Sequence, residues 1–228
     1  MTTIMPNTST CFICGSEEEY GVVASTNTFG PTDLDTRPPE MKRSTMRYWV
    51  QTCPVCGYSA VDVSDETTVG REFLETESYR ICDGIAFVSD LAKEFYRHYL
   101  IMKAERNEED AFWALLYAAW ASDDKEDETG AVLAREKAIM IAYKLLDSEV
   151  SEHKDTLSLI LADLLRRVSR FEELLKRYDT VTFDEELLNQ IVEFEKELAR
   201  RKITKCMTAK DAVDYAKGTF VWNDMEED

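Results

Sequence analysis

The chain has 228 residues, of which 44% are hydrophobic and 32% are charged, and its formal net charge at pH 7 is -18. This length is enough to bury a sizeable core, either as one large domain or as two small ones. The strongly acidic charge repels phosphate backbones and anionic lipids, which argues against nucleic acid and membranes as partners.

The N-terminal ten residues lack the basic and apolar regions of a secretory signal. No apolar run approaches the roughly 18 residues that a membrane-spanning helix needs. We therefore expect a cytoplasmic protein. Cysteines stay reduced in that compartment, so closely spaced cysteines there bind metal more often than they form disulfides.

Strands and turns are expected in the first part of the chain. All five prolines lie at or before residue 54, and only three glycines follow residue 70. Because proline breaks helices and glycine weakens them, the second part should be helical. Runs of β-branched and aromatic residues predict strands over 20–26 and 44–52, and alternation predicts a third over 59–64. Between the first two lies a long polar loop, 27–43, with Gly, Pro and Asp turn signals.

Apolar residues at helical spacing continue from residue 70 almost to the C-terminus. They predict helices over 70–81, 85–105, 110–122, 131–146, 154–169, 170–179, 183–202 and 209–217. Helix 110–122 is apolar on nearly every side, so it should be the central buried helix. Thr208 is expected to cap the last helix and Gly218 to end it.

Short loops between these helices favour an antiparallel, solenoid-like array. Segment 157–181 is similar to one tetratricopeptide unit, although Ser169 lies near the position where glycine is usual. A generic helical hairpin explains the same pattern nearly as well, because no second copy follows at the 34-residue period. The predicted repeat therefore has an open alternative.

Two CxxCG motifs contribute four cysteines: Cys11, Cys14, Cys53 and Cys56. Each CxxC turn can present two thiolates to one tetrahedral ion, and the following glycine lets the backbone turn tightly. Four soft thiolates select zinc or, less often, iron. The distance between the motifs exceeds the roughly 15–20 residues of a compact zinc ribbon, and the loop 27–43 accounts for the excess.

A redox role for these pairs is the alternative. A thioredoxin-like CxxC should open a helix beside a βαβ pattern, and neither pair does. We therefore predict a structural metal site. Four cysteine ligands leave no open coordination position for water, so the site should not catalyse a reaction. The two other cysteines, Cys82 and Cys206, are expected to be buried thiols packed as small apolar residues.

Catalytic groups are hard to find in the sequence. His98 and His153 lie outside any HExxH pattern and are expected on a helix surface or partly buried, and no phosphate-binding loop or nucleophile elbow is present. Asp33, Asp35 and Arg37 lie together in the polar loop, which we expect beside the ribbon. They could bind a ligand or a partner, or they could hold the loop through turn hydrogen bonds and an ion pair.

A resemblance to a known family adds to this interpretation. The two CxxCG motifs, TFGPTDLDTRPPEM (28–41), YWVQTCPVCGYSA (48–60) and the following helices together resemble the bacterial family catalogued as domain of unknown function 2225. The resemblance implies that Cys11, Cys14, Cys53 and Cys56 are the metal ligands and that a tetratricopeptide-like helical region follows. It implies no established reaction.

The sequence thus predicts a mostly α protein with a zinc-ribbon-like β module over 1–66, a helical array over 67–218 and an acidic tail over 219–228. The predicted function is a protein–protein interaction or scaffold module with a structural Zn²⁺ site, whose partner is another protein. The alternative is a small-ligand receptor or enzyme with its site where the Asp33–Arg37 loop meets the helices.

Overall fold

The computed structural model describes residues 1–81, 84, 87–148 and 153–222. The described chain is mostly helical, as predicted. It divides into an N-terminal unit, residues 1–28 with 40–141, and a C-terminal unit, residues 29–39 with those from 142 onward. The domain boundaries expected from the sequence stay a prediction. Of the predicted acidic tail, residues 223–228 lie outside the described part.

The strands of the N-terminal unit form two antiparallel hairpins. Their bounds are β1 Thr3–Thr10, β2 Glu17–Ser25, β3 Gln51–Thr52 and β4 Ser59–Ala60. β1 pairs with β2 and β3 pairs with β4. The strand predicted over 20–26 is β2. β1 was not predicted, because its sequence is polar and its strand geometry depends on pairing with β2.

The strand predicted over 44–52 is wrong over most of its length. Arg43–Tyr48 forms a 3-10 helix, η1, and only Gln51–Thr52 is extended. The Thr45 hydroxyl donates to the Lys42 carbonyl at 2.7 Å and accepts from Trp49 Nε1 at 3.0 Å. The Trp49 ring packs on Tyr117 with centroids 5.3 Å apart. This packing and these local bonds outweigh the β propensity of the segment.

Five helices follow η1. Their bounds are α1 Arg71–Leu74, α2 Glu77–Arg80, α3 Asp90–Ala104, α4 Glu108–Asp123 and α5 Glu128–Asp147. The helix predicted over 70–81 is interrupted at Thr76, whose hydroxyl caps α2 by accepting from the Tyr79 N–H. α3 and α4 contact each other across a three-residue connection, so they form an antiparallel hairpin. α4 is buried around most of its circumference, which confirms the predicted central helix.

In the C-terminal unit, helices that are neighbours in sequence contact each other. Their bounds are α6 Lys154–Arg167, α7 Phe171–Arg177, α8 Glu186–Arg200 and α9 Ala209–Ala216. Thr208 forms a capping box with Asp211 at the start of α9, and Gly218 follows its end with φ +71°, as predicted. The tetratricopeptide repeat stays a prediction. Among the described residues, no helix is both long and apolar enough to cross a membrane.

The turn between α6 and α7 offers a test of backbone strain. Ser169 adopts φ +63°, its N–H donates to the Arg166 carbonyl, and the Arg170 N–H donates to the Leu165 carbonyl. This left-handed position favours glycine, because a Cβ there meets the neighbouring carbonyl. We expect Ser169→Gly to raise the free energy of unfolding by about 0.5–1 kcal/mol in urea titrations. Ser169→Ala, which keeps the Cβ, should give no gain; an equal gain in both variants would contradict the explanation.

Candidate metal centre

The first CxxCG forms the turn of the β1–β2 hairpin, and we call residues 11–15 the first knuckle. The Cys11 N–H donates to the Ser16 carbonyl at 2.8 Å, and the Gly15 N–H donates back to the Cys11 carbonyl at 2.8 Å. Gly15 adopts φ +73°, a conformation that L side chains rarely take. The glycine after the second cysteine therefore closes this turn.

The second CxxCG forms the turn of the β3–β4 hairpin, and we call residues 53–57 the second knuckle. Its hydrogen bonds repeat those of the first knuckle. The Cys53 N–H donates to the Tyr58 carbonyl at 2.8 Å, and the Gly57 N–H donates to the Cys53 carbonyl at 2.9 Å. Gly57 has φ +78°. Two separate pieces of sequence thus build the same turn.

The two knuckles bring the four predicted cysteines together. All four sulfur atoms lie within 4.8 Å of one another. Cys11 Sγ lies 3.7 Å from Cys56 Sγ, and Cys14 Sγ lies 3.6 Å from Cys53 Sγ. A tetrahedron of sulfurs about 2.3 Å from a central ion has edges of about 3.8 Å. The sulfur positions therefore fit one four-coordinate metal ion.

Hydrogen bonds favour the thiolate form at two of the four cysteines. The Ser16 hydroxyl lies 3.2 Å from both Cys14 Sγ and Cys53 Sγ. It is the main cause that lowers the pKa of Cys14 to about 6. At Cys53, burial raises the pKa, but the Ser16 hydroxyl and backbone N–H groups outweigh it and lower the pKa. Burial raises the pKa of Cys11 and Cys56.

This pattern shows why the cluster suits a cation. Four thiolates at these distances repel one another, so a metal ion is what allows all four to ionise, and its binding releases protons. Ser16 was missed by the sequence reasoning. Its position directly after the first CxxCG is the only sequence signal that could have pointed to it.

The rest of the N-terminal unit holds the two knuckles in place. The Phe12 N–H donates to the Val63 carbonyl at 2.8 Å, and the Val63 N–H donates to Gln51 Oε1 at 3.1 Å. The Tyr79 hydroxyl of α2 donates to the Gly57 carbonyl at 2.7 Å. Buried Cys11 and Cys53 share one apolar cluster with residues of α1, α2 and α3. The metal centre is therefore part of a core that includes helices.

Of the described residues, both histidines and Cys206 lie outside this cluster. His98 on α3 is buried, its Nδ1 lies 3.3 Å from the Ser59 carbonyl oxygen, and burial lowers its pKa. His153 is exposed at the start of α6. Cys206 is exposed, so its predicted burial is wrong; the loop before α9 leaves its side chain at the surface. Cys82 lies outside the described residues.

The loop with Asp33, Asp35 and Arg37 is built into the C-terminal unit. Its expected position beside the ribbon stays a prediction. The Leu34 N–H donates to the Met207 carbonyl at 2.9 Å, and Asp33 forms a β-bridge with Thr208. Backbone pairing with the segment before α9 therefore decides the position of the loop, and this pairing could not be predicted from loop composition.

All three charged side chains of this loop are buried, with exposed fractions of 6% for Asp33, 1% for Asp35 and 4% for Arg37. Asp35 Oδ1 accepts from the Arg37 N–H at 3.2 Å, and the Thr36 N–H donates to the Asp33 carbonyl at 2.9 Å. These are turn-stabilising bonds. The geometry thus favours a structural role, and a role in ligand binding stays a prediction.

A buried charged cluster on α6 and α8 was also missed by the sequence reasoning. Arg166 is fully buried, and its guanidinium donates to Asp163 and to Glu195. The same guanidinium donates to the carbonyls of Ile203 at 3.0 Å and Lys205 at 2.7 Å. Arginine in an amphipathic helix usually indicates the solvent face, so only the packing shows that this one is internal.

Glu195 should make the stability depend on pH. Burial, opposed by Arg166, raises its pKa to about 8 from an ordinary value of 4.5. The folded state then holds a proton that the unfolded state has released, so this contribution to stability is complete below pH 4.5 and is lost as the pH rises through 8. Urea unfolding of the metal-loaded protein should show the loss between about pH 4.5 and 8. Glu195→Gln, which mimics the protonated group, should flatten that slope; an unchanged slope would contradict the assignment.

The chemistry available to the four-cysteine centre is structural. Four thiolates complete the coordination of a tetrahedral ion and leave no position for a reacting water. Such a centre stabilises the fold by joining two hairpins that are far apart in sequence. A comparison of the chain with protein-family models, with curated proteins and with solved structures finds no match.

Proposed function

We propose that the four cysteines hold one structural Zn²⁺ and that the chain is a scaffold that binds another protein. The sulfur geometry carries the first part, because distances of 3.6 and 3.7 Å fit the edges of a tetrahedral site. Zinc suits this role, since it is redox-inert and tetrahedral thiolate sites are typical of it.

Elemental analysis of protein purified without added metal tests this assignment. The expected result is one zinc per chain, and Co²⁺ exchanged into the protein should give the absorption of a tetrahedral thiolate site. Iron as the bound metal, or less than half an equivalent of any metal in freshly purified folded protein, would contradict the assignment.

The β1–β2 hairpin supports a protein partner. Among the described strands β1 pairs with β2 alone, and most of the hairpin is exposed. Met5 and Val22 lie directly opposite each other and are 56% and 38% exposed. Unpaired strand edges with apolar side chains can accept a strand from another chain. The hairpin is therefore the proposed contact surface.

Affinity capture with the tagged, zinc-loaded chain tests this surface. We expect a captured protein to be lost by the Met5→Glu/Val22→Glu double variant. The matched control is Met140→Glu, which changes an apolar side chain that is 64% exposed on α5. The interaction should then be reproduced with the two purified proteins. Equal capture by the double variant, or no capture by the wild type, would contradict the proposed surface.

A further inference from the structure

A cavity of about 230 Å³ opens beside the second knuckle. One wall is the knuckle itself, at Val55, Cys56 and Gly57, and the other walls come from α1, α2 and α3. Because the Tyr79 hydroxyl of α2 donates to the Gly57 carbonyl at 2.7 Å, the helical wall is fixed to the knuckle. The shape of the cavity therefore depends on the knuckle that the metal holds.

The described lining of the cavity is richer in basic residues than the chain as a whole. Three arginines line it, one from each of the three helices: Arg71, Arg80 and Arg97. Among its described lining residues, Glu75 is the one acid. The whole chain has 27 basic residues against 45 acidic ones. The presence of three arginines in one lining is therefore a local departure from the acidic composition of the chain.

Two described acids lie close to these arginines. Arg71 Nε lies 3.8 Å from Glu75 Oε1, and both side chains are more than 60% exposed, so the pair is weak. Glu94 faces Arg97 on α3, and burial raises the pKa of Glu94. Arg80 is exposed at the end of α2. Among the described residues, the cavity lining thus holds three basic side chains and one carboxylate.

We propose that this cavity binds a small oxyanion, either inorganic phosphate or the phosphate of a small monoester. Guanidinium groups donate paired hydrogen bonds that match phosphate oxygens. The volume is below the roughly 300–1,000 Å³ that hold drug-sized ligands, which favours a single anionic group. The proposal rests on the metal centre of the proposed function through the knuckle wall, and it is independent of any protein partner.

Isothermal titration calorimetry of the zinc-loaded full chain with inorganic phosphate tests the proposal. A second titration uses glycerol 3-phosphate, and chloride at equal ionic strength is the blank. We expect one saturable site, weakened at least tenfold by Arg97→Gln and by Arg80→Gln. The matched control is Arg200→Gln on α8, an arginine that is 50% exposed, which should leave binding unchanged. Tighter binding of one arm identifies the free ion or the ester as the ligand.

Arg80→Gln keeps the test decisive if Arg97→Gln lowers stability, since Arg80 is exposed. Zinc content is measured on every sample, so failure of the metal centre is distinguishable from failure of the cavity. The proposal is overturned if the wild type shows no saturable phosphate binding. It is also overturned if the affinity is unchanged in both arginine variants. Faster zinc loss in the arginine variants without phosphate binding also overturns it, because the arginines would then only neutralise the four-thiolate zinc centre, whose net charge is about -2.

Discussion

A Cys53→Ser variant is expected to lose the bound metal and the ordered structure of both hairpins. Cys53 Sγ lies 3.6 Å from Cys14 Sγ and 3.2 Å from the Ser16 hydroxyl, and the residue is 1% exposed in the core of the N-terminal unit. Structural zinc contributes about 10–16 kcal/mol in small metal-dependent domains, which is comparable with the whole stability of a domain. The α3–α4 hairpin has its own buried interface, so helical circular dichroism should decrease only in part.

Hydrogen exchange read by mass spectrometry measures this effect peptide by peptide. Protection should fall to the unfolded level over 3–25 and 51–60 and should persist over 108–123. A metal chelator added to the wild type should reproduce the pattern. The matched control is Cys206→Ser, because Cys206 is exposed and lies outside the four-cysteine cluster. A Cys53→Ser protein with a full equivalent of zinc and wild-type protection would contradict the assignment of the centre.

An Arg166→Met variant is expected to lower the free energy of unfolding by about 3–5 kcal/mol. The substitution leaves the buried acids Asp163 and Glu195 without their shared donor, and it leaves the carbonyls of Ile203 and Lys205 without a donor. Methionine keeps most of the side-chain volume, so a cavity is a minor cause. Urea unfolding followed by circular dichroism gives the change directly.

Two further variants distinguish the buried cluster around Arg166 from an exposed ion pair. Arg200→Met removes an exposed arginine that lies 3.4 Å from Glu197, and it should change the free energy by less than about 0.5 kcal/mol. Adding Glu195→Gln to Arg166→Met removes one of the two stranded acids, which must otherwise take up a proton on folding, and should recover part of the loss. If Arg166→Met and Arg200→Met cost the same, the buried cluster does not stabilise the C-terminal unit as described.

Several features were predictable because the signal for them is local. A CxxC followed by glycine needs a residue with positive φ, and Gly15 and Gly57 both adopt it. Thr208 and Gly218 mark the ends of α9 because a hydroxyl cap and a left-handed residue satisfy backbone groups within one turn. Helical spacing of apolar residues likewise depends on one face of one helix. It predicted the ends of most helices to within a few residues.

The sequence by itself therefore determined the mostly helical fold and the four cysteines that meet in the candidate metal centre. Only the tertiary structure decided how distant segments pair. Trp49 packs on Tyr117, and the segment before it forms a 3-10 helix where β propensity predicts a strand. Pairing with the segment before α9 puts the Asp33–Arg37 loop in the C-terminal unit. Burial of Arg166 depends in the same way on carbonyls and carboxylates that come from other parts of the chain. Such contacts join residues far apart in sequence, so no local pattern encodes them.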